Sequence, residues 1–278
     1  MCFKKISIGS VQFGSDYGIS NSSGITPEEE VKEIIEFCRE NNITTIDTAY
    51  GYLKSEVVLG KNDLSGFDVV SKFLPESNVV PSVEEQMNIS LKRLNVSYLY
   101  GYLAHRPQYL LENKHIWQFL ISAKNDKLVK KIGFSFNEPH EIDEVLKENM
   151  IPEIVQVPLN YFDNRFDDKI KFLKDSYNTE VHVRSVFLQG LFFTNTKTLD
   201  NFFNPVKNYI EDLQRNYIPL NAHLINYVLK KDYIDKIVIG VNNKNQLIEN
   251  IEGLKHNFKL PPFTGKVDDK ILIPSNWP

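Results

Sequence analysis

Eight short apolar runs alternate with longer amphipathic segments along this chain. The runs predict strands at 6–11, 43–46, 67–71, 98–104, 129–134, 154–157, 181–187 and 236–241. The intervening segments predict helices at 27–41, 82–94, 114–127, 138–149, 167–177, 208–230 (with a candidate break at Pro219) and 243–255, and a short extra turn at 53–60. Strict alternation of strands and helices implies βαβ units and a parallel sheet.

The number of strands favours a closed (β/α)8 TIM barrel, which typically needs about 250 residues; the chain has 278. A doubly wound open sheet is the alternative α/β fold. It would require a G-x-G-x-x-G fingerprint after an early strand, and Gly9, Gly14 and Gly18 do not form one. Because no linker, low-complexity segment or charge block divides the chain, we expect one domain over 1–278. The apolar tail at 271–278, with Trp277, is expected to dock on the body.

Charge and composition exclude several classes of protein. The net charge is −4 and the pI is near 5.9, so there is no basic surface for nucleic acid and no polybasic membrane segment. No apolar run approaches the roughly 20 residues of a membrane span, and the first residues do not resemble a signal peptide. Cys2 and Cys38 form no disulfide or metal pattern. We therefore expect a cytoplasmic protein with a small-molecule partner and neither nucleic-acid nor membrane partners. Nothing in the sequence indicates its oligomeric state.

Four polar residues follow predicted strands or the loop after one: Asp47, Tyr52, Lys72 and His105. Taken singly, each is more commonly structural, and Tyr50 rivals Tyr52. In a barrel, however, residues at the carboxyl ends of strands meet at one face. There Lys72 would lower the phenol pKa of Tyr52, Asp47 would hold Lys72, and His105 would orient a carbonyl. This set predicts protonation of a carbonyl oxygen while a cofactor delivers hydride.

The chain resembles bacterial, single-barrel members of the aldo-keto reductase family. The resemblance rests on Gly-Ser-Val-Gln-Phe-Gly (9–14), on Asp-Thr-Ala-x-x-Tyr, which selects Tyr52 over Tyr50, on Ser-Lys (71–72) and on Leu-x-His (103–105). It implies an NAD(P)H-dependent oxidoreductase that reduces an aldehyde or ketone to an alcohol without a metal. In that reaction Tyr52 would donate the proton, assisted by Lys72 and His105.

The resemblance also assigns cofactor residues. Ser135 and Gln156 match the pair that holds the nicotinamide carboxamide, and Glu249 and Asn250 match the pair that contacts adenine. The other implied cofactor residues are Arg184, Ser185, Gly240, Val241, Asn242, Lys244 and Gln246. The predicted last helix begins in this segment, and free N–H groups at a helix start form a natural phosphate site.

Five positions depart from the family pattern: Leu53, Phe136, Arg184, and Gly240 and Gln246, which align with the cations that usually bind the 2′-phosphate. Leu53 stands where glycine is usual, and Phe136 stands where asparagine is usual, with Asn137 one position later. Arg184 replaces an aromatic residue that often stacks on nicotinamide; its guanidinium could stack or bind an acidic substrate group, and both interpretations stay open. The usual cations for the 2′-phosphate of NADP are missing. Lys244 could substitute for them, so NADP is weakly preferred over NAD.

The substrate is predicted less specifically. Tyr17, Phe162, Arg165 and Phe192 are candidates to line its pocket. Polar and aromatic residues together favour a sugar or sugar nucleotide over a steroid, and the resemblance includes members that serve carbohydrate metabolism. Two alternatives have other functions: a cofactor-binding regulatory or scaffold barrel with little or no turnover, and a metal-dependent hydrolase or isomerase. The second lacks His-x-His and His-Glu-x-x-His spacings.

Overall fold

The computed structural model describes residues 2–256 and 258–278. Eight parallel strands close into a barrel in sequence order, because β1 pairs with both β2 and β8. The strands are β1 (Ile6–Gly9), β2 (Thr45–Asp47), β3 (Asp68–Phe73), β4 (Leu99–Ala104), β5 (Val129–Ser135), β6 (Ile154–Pro158), β7 (Glu180–Arg184) and β8 (Lys236–Gly240). The predicted (β/α)8 TIM barrel is confirmed.

Helices surround the barrel. They are α1 (Glu28–Glu40), α2 (Ser55–Leu59), α3 (Val83–Leu94), α4 (Pro107–Glu112), α5 (His115–Asn125), α6 (His140–Lys147), α7 (Asp167–Tyr177), α8 (Asn204–Asn216), α9 (Leu220–Leu229), α10 (Lys244–Gly253) and α11 (Asp269–Leu272). Their apolar stripes face the strands; α1, for example, buries Val31, Ile34, Ile35 and Cys38. No helix in the described ranges is both long enough and apolar enough to cross a bilayer.

Three of the differences from the predicted boundaries have a clear physical cause. The predicted helix 208–230 is two helices, α8 and α9, separated around Pro219, which lacks the N–H that a continuous helix needs. β1 ends at Gly9 because Val11–Phe13 form a 3-10 turn. β7 ends at Arg184 because Ser185 has φ 63, outside the strand region. The last two endings place loop residues at the mouth of the barrel.

Strand alternation decides which side chains enter the barrel interior. Val70, Leu103 and Ile154 form a cluster separate from the main core, which lies between the strands and the helices. Successive residues of a strand face opposite sides. Lys72, two residues after Val70, and Gln156, two after Ile154, therefore point inward as well. The interior consequently changes from apolar to polar toward the carboxyl ends.

The carboxyl-terminal tail packs on the body, as expected. Ile271 and Leu272 are buried, and the indole Nε1 of Trp277 donates to the Ile271 carbonyl at 2.9 Å. The Trp277 ring also packs edge-to-face against Phe203, with the ring centroids 5.0 Å apart. These contacts hold the preceding tail residues beside the barrel mouth.

Candidate active site

A cavity of about 730 Å³ opens at the carboxyl ends of the strands. This volume falls in the range typical of small-molecule and cofactor sites. Its walls come from the ends of five strands and from loops that follow strands, with further residues from α9, α10 and the tail. The cavity is therefore where a barrel of this kind carries its active site.

The structure brings the four predicted catalytic residues together. The Lys72 Nζ donates to both carboxylate oxygens of Asp47 and to the Thr48 carbonyl, each at 2.8 Å. It lies 5.2 Å from the ring centroid of Tyr52, and the Tyr52 and His105 rings meet edge-on with centroids 6.0 Å apart. Asp47, Tyr52 and His105 line the cavity, whereas Lys72 is fully buried behind them.

The Tyr52 loop is fixed against the end of β1. Ser55 donates its hydroxyl to the Ser10 carbonyl at 2.5 Å. A Cβ on Gly14 would lie 2.2 Å from the Tyr52 carbonyl oxygen, so only glycine permits this approach. Leu53, which stands where the family usually has glycine, adopts φ 49 with its side chain exposed. The loop thus keeps a conformation that favours glycine at the residue after Tyr52.

The electrostatics correct one prediction. Burial raises the pKa of Tyr52 well above its ordinary value, and the nearby Asp47 carboxylate raises it further. Lys72 was expected to lower that pKa, but the Asp47 carboxylate, which pairs with Lys72 at 2.8 Å, acts in the opposite direction. The cation that lowers the Tyr52 pKa is Arg184. The phenol is therefore protonated at neutral pH, as it would also be at its ordinary pKa near 10.

His105 is an uncharged imidazole. Burial, together with the charges of Lys72, Arg106 and Arg184, lowers its pKa to about 3. Its Nδ1 is buried with no hydrogen-bond partner among the residues described. The ring can therefore orient a carbonyl oxygen without adding a charge to the site.

This pKa predicts the behaviour of His105 in solution. The folded-state pKa lies below the unfolded value near 6.5, so the folded state binds fewer protons between the two values. Stability should therefore fall as the pH drops from 6.5 toward 3. We expect the His105 ring-proton NMR signal, assigned by its loss in His105→Gln, to stay constant over roughly pH 5 to 8. A midpoint inside that interval would contradict a neutral His105.

Most predicted cofactor residues reach the cavity. Those that line it are Gln156, Arg184, Ser185, Gly240, Asn242, Gln246, Glu249 and Asn250. Ser135 does not, since it is buried at the end of β5; the cavity residue from the following loop is Asn137. Val241 is buried too. Lys244 is directed elsewhere because its Nζ lies 3.5 Å from a Glu33 carboxylate oxygen.

The start of α10 is not the free anion site that the sequence predicted. The Lys244 N–H donates to a Glu30 carboxylate oxygen at 2.6 Å, and the Gln246 N–H donates to the Asn243 side chain at 2.9 Å. The Gln246 side chain in turn accepts from the Asn242 N–H at 2.8 Å. These backbone N–H groups are therefore already hydrogen-bonded to side chains of the protein, one of which is a carboxylate from α1.

The remaining lining fits a nicotinamide dinucleotide. The Gln156 side-chain amide donates to an Asp47 carboxylate oxygen at 2.7 Å, so a predicted cofactor residue contacts a predicted catalytic residue. The Gln12 Oε1 is buried without a partner, and a Cβ on Gly240 would lie 2.5 Å from the Gln12 side chain. The unpaired amide oxygen of Gln12 can accept a hydrogen bond from the polar edge of such a cofactor. No cluster of three or more His, Cys, Asp or Glu side chains able to hold a metal occurs within 2–256 and 258–278.

Three of the four candidate substrate residues lie elsewhere. Tyr17 lines the cavity. Phe162 and Phe192 are buried against each other, with ring centroids 4.8 Å apart, in an aromatic cluster that includes Phe263. Arg165 forms ion pairs with neighbouring carboxylates, of which Asp163 is 3.0 Å away. These side chains serve packing and loop structure.

Several lining residues were missed by sequence reasoning. They are Gln12, Asn21, Arg106, Asn137, Gln189, Phe193, Asn221, Ile273, Pro274 and Ser275. Arg106 follows His105 directly, so its position at a strand end was a usable signal. The tail residues carried none, because nothing local in the sequence shows that the tail folds back to the barrel mouth.

Comparisons with known proteins agree with this geometry. The family model described as Aldo/keto reductase family matches residues 5–262. A Schizosaccharomyces pombe protein named "Putative voltage-gated potassium channel subunit beta" is 22% identical over 290 residues, covering 88% of this chain and 84% of that protein. A protein of Acanthamoeba polyphaga mimivirus, "Putative ankyrin repeat protein L112", is 35% identical over 74 residues; the match covers 27% of this chain and 15% of that protein.

Solved structures share the fold. An aldo-keto reductase from Bacillus halodurans, in its holo form, has a TM-score of 0.72 at 18% identity and covers 98% of this chain and 91% of its own. Glycerol dehydrogenase from Gluconobacter oxydans has a TM-score of 0.67 at 18% identity, covering 96% and 88%. The family model spans nearly all of the chain, and the barrel carries the expected residues at its mouth. The chain belongs to the aldo/keto reductase family.

Proposed function

We propose that this protein reduces a carbonyl group to an alcohol with NAD(P)H and that Tyr52 is the proton donor. The observation that carries the proposal is the grouping of Tyr52, His105 and the Asp47–Lys72 pair on one wall of the cavity. A phenol, a neutral imidazole and a buried ion pair at one point suit acid catalysis. The reaction class is that of a nicotinamide-dependent oxidoreductase.

Each residue has a distinct part in this reaction. Bound NAD(P)H supplies the hydride to the carbonyl carbon. Tyr52, protonated at neutral pH, gives its proton to the carbonyl oxygen, and the Arg184 charge favours this transfer because it lowers the pKa of the phenol. His105, uncharged, orients the same oxygen. Lys72 and Asp47 keep the wall in place through hydrogen bonds of 2.8 Å.

Binding and turnover test the proposal in sequence. The purified protein is titrated with NADPH and NADH by fluorescence, and oxidation is then followed by absorbance with simple aldehydes, sugars and a sugar nucleotide. Binding followed by oxidation is the expected result. The polar lining suits a hydroxyl-rich carbonyl compound such as a sugar or sugar nucleotide, and one structural relative is named glycerol dehydrogenase. Failure to bind either dinucleotide would contradict the proposal.

A regulatory or scaffold barrel is the second candidate. Its support is the fission-yeast relative whose name refers to a potassium channel subunit. A barrel with that role would bind dinucleotide and oxidise it with none of the carbonyl compounds. The Asp47–Lys72 pair, built against Tyr52 inside the cavity, favours the enzyme.

We further propose that NAD(H) binds more tightly than NADP(H), although the sequence favoured NADP on account of Lys244. The Lys244 backbone N–H donates to a Glu30 carboxylate oxygen at 2.6 Å, and the Lys244 side chain pairs with Glu33. Two carboxylates therefore lie beside the lysine that was expected to bind the 2′-phosphate. Glu30→Gln should lower the Kd for NADPH about tenfold, because one charge–charge repulsion is removed, and should change the Kd for NADH little.

Fluorescence titration measures both constants. Glu29→Gln is the matched control, because Glu29 is an exposed residue of the same helix that pairs at 3.7 Å only with Lys32, a residue of the same helix. A wild-type protein that already binds NADPH more tightly than NADH would contradict the assignment.

A further inference from the structure

Two arginine side chains line the cavity together with Tyr52 and His105, and their positive charge indicates the charge of the substrate. We propose that Arg184, together with Arg106, binds an oxyanion of the substrate, so that the preferred substrate is an aldehyde or ketone bearing a carboxylate or phosphate group. This inference rests on the proposed carbonyl reduction and names the substrate class for that site. Neither the family match nor the related structures assign it.

Arg184 is a partly buried charge without a counter-ion. Its Nη2 donates to the Asn137 side chain at 2.6 Å and to the Phe136 carbonyl at 3.1 Å, and its Nη1 donates to the Ser185 hydroxyl at 3.3 Å. All three acceptors are neutral. Among the ion pairs of the described residues, none includes Arg184. Burying a charge without a partner is costly, so such a site favours an anionic ligand.

The guanidinium also keeps donors available. An arginine side chain has five N–H groups, and three of those on Arg184 are used in the hydrogen bonds above. The other two have no acceptor in the part of the protein that the structure describes. Tyr17 and Gln189, which line the same cavity, can add a hydroxyl and an amide to a bound anion.

The charge balance of this end of the cavity is positive. Arg106 and Arg184 both line it, and the carboxylate among the catalytic residues, Asp47, is already bound by Lys72 at 2.8 Å. The other acidic lining residue, Glu249, belongs to α10, which follows β8. An anion brought to Arg184 therefore meets two guanidinium groups and no free carboxylate from the catalytic set.

Arg184 lies at the reacting end of the cavity. Its Nη2 donates hydrogen bonds to Phe136 and Asn137, which lie in the loop after β5. In the barrel order, this loop lies on one side of β7, whereas β8 and the start of α10 lie on the other side. Arg184, Tyr52 and Tyr17 line the same cavity, and the Arg184 charge lowers the pKa values of both tyrosines. An oxyanion held by Arg184 would thus fix a carbonyl of the same molecule beside Tyr52.

Matched substrate pairs test the proposal. With saturating dinucleotide, kcat/KM is measured for succinic semialdehyde against butanal and for glyceraldehyde 3-phosphate against glyceraldehyde. We expect a preference of about tenfold to a hundredfold for the anionic member of at least one pair, as for a charged hydrogen bond. The pair that shows it distinguishes carboxylate from phosphate. Arg184→Gln should remove most of that preference, and Arg184→Lys should keep part of it.

The neutral member of each pair separates substrate binding from other effects. If Arg184 acts only on Tyr52 or on the cofactor, Arg184→Gln lowers both rates equally and the ratio survives, which overturns the proposal. Arg215→Gln removes the same charge from an exposed site on α8 and should leave the ratio unchanged. A wild-type ratio near one in both pairs overturns the proposal while reduction of butanal still upholds the proposed function. No turnover of these pairs or of the wider carbonyl panel counts against both.

Discussion

Tyr52→Phe is expected to lower kcat for carbonyl reduction by about 10²–10⁴-fold, the range for loss of a positioned general acid. The variant keeps the ring, which packs edge-on to His105 and lies 5.2 Å from the Lys72 Nζ, and loses only the hydroxyl. Dinucleotide affinity should therefore change little. Steady-state kinetics and a fluorescence titration of the same preparation measure the two effects separately.

Tyr50→Phe is the matched control. Tyr50 lies two residues earlier in the same loop, and its ring packs under the Arg93 guanidinium at 4.9 Å, outside the lining of the cavity. Removing its hydroxyl should leave kcat within about a few-fold of the wild-type value, because substitutions away from such a site usually have small effects. Comparable losses in both variants, or most of the activity retained in Tyr52→Phe, would show that Tyr52 is not the acid.

Lys72→Met is expected to lower the free energy of unfolding by about 3–5 kcal/mol, because it leaves the Asp47 carboxylate buried without its cation. Both side chains of the pair are almost fully buried, and the Gln156 amide at 2.7 Å is a neutral donor that cannot replace a charge. Urea denaturation measures the loss. Adding Asp47→Asn should restore part of it, since the double variant no longer buries an unpaired charge.

A surface pair provides the comparison. Lys114 pairs with Glu148 on the outside of the barrel, with both side chains substantially exposed. Lys114→Met should therefore cost less than about 1 kcal/mol. A loss of that small size for Lys72→Met would mean that the Asp47–Lys72 pair is solvated and does not hold the catalytic wall.

The sequence was sufficient to predict the barrel and the grouping of polar residues at its mouth. Alternating runs predict parallel strands, and parallel strands bring their carboxyl ends together, so Asp47, Lys72 and His105 met as expected. The helix break at Pro219 was also visible. These features depend on local pattern and on one rule of topology.

What the sequence could not supply depends on long-range packing. Glu33 and Lys244 are 211 positions apart, and nothing near either residue indicates that they pair. Phe162 and Phe192 were predicted to line the pocket because they are aromatic residues in loops, yet they pack on each other. The direction of the Tyr52 pKa shift required knowing its burial, which outweighs the neighbouring charges.

The most direct test of the central claim is deuterium transfer. NADH and NADPH carrying deuterium at C4 of the nicotinamide are each incubated with the protein and the panel of aldehydes, sugars and a sugar nucleotide. The products are then analysed by mass spectrometry. Hydride transfer with Tyr52 as the acid predicts one deuterium in the alcohol from one C4 face, and product formation slowed by orders of magnitude in Tyr52→Phe. Bound dinucleotide with no deuterium in any product would contradict it and would favour the regulatory barrel.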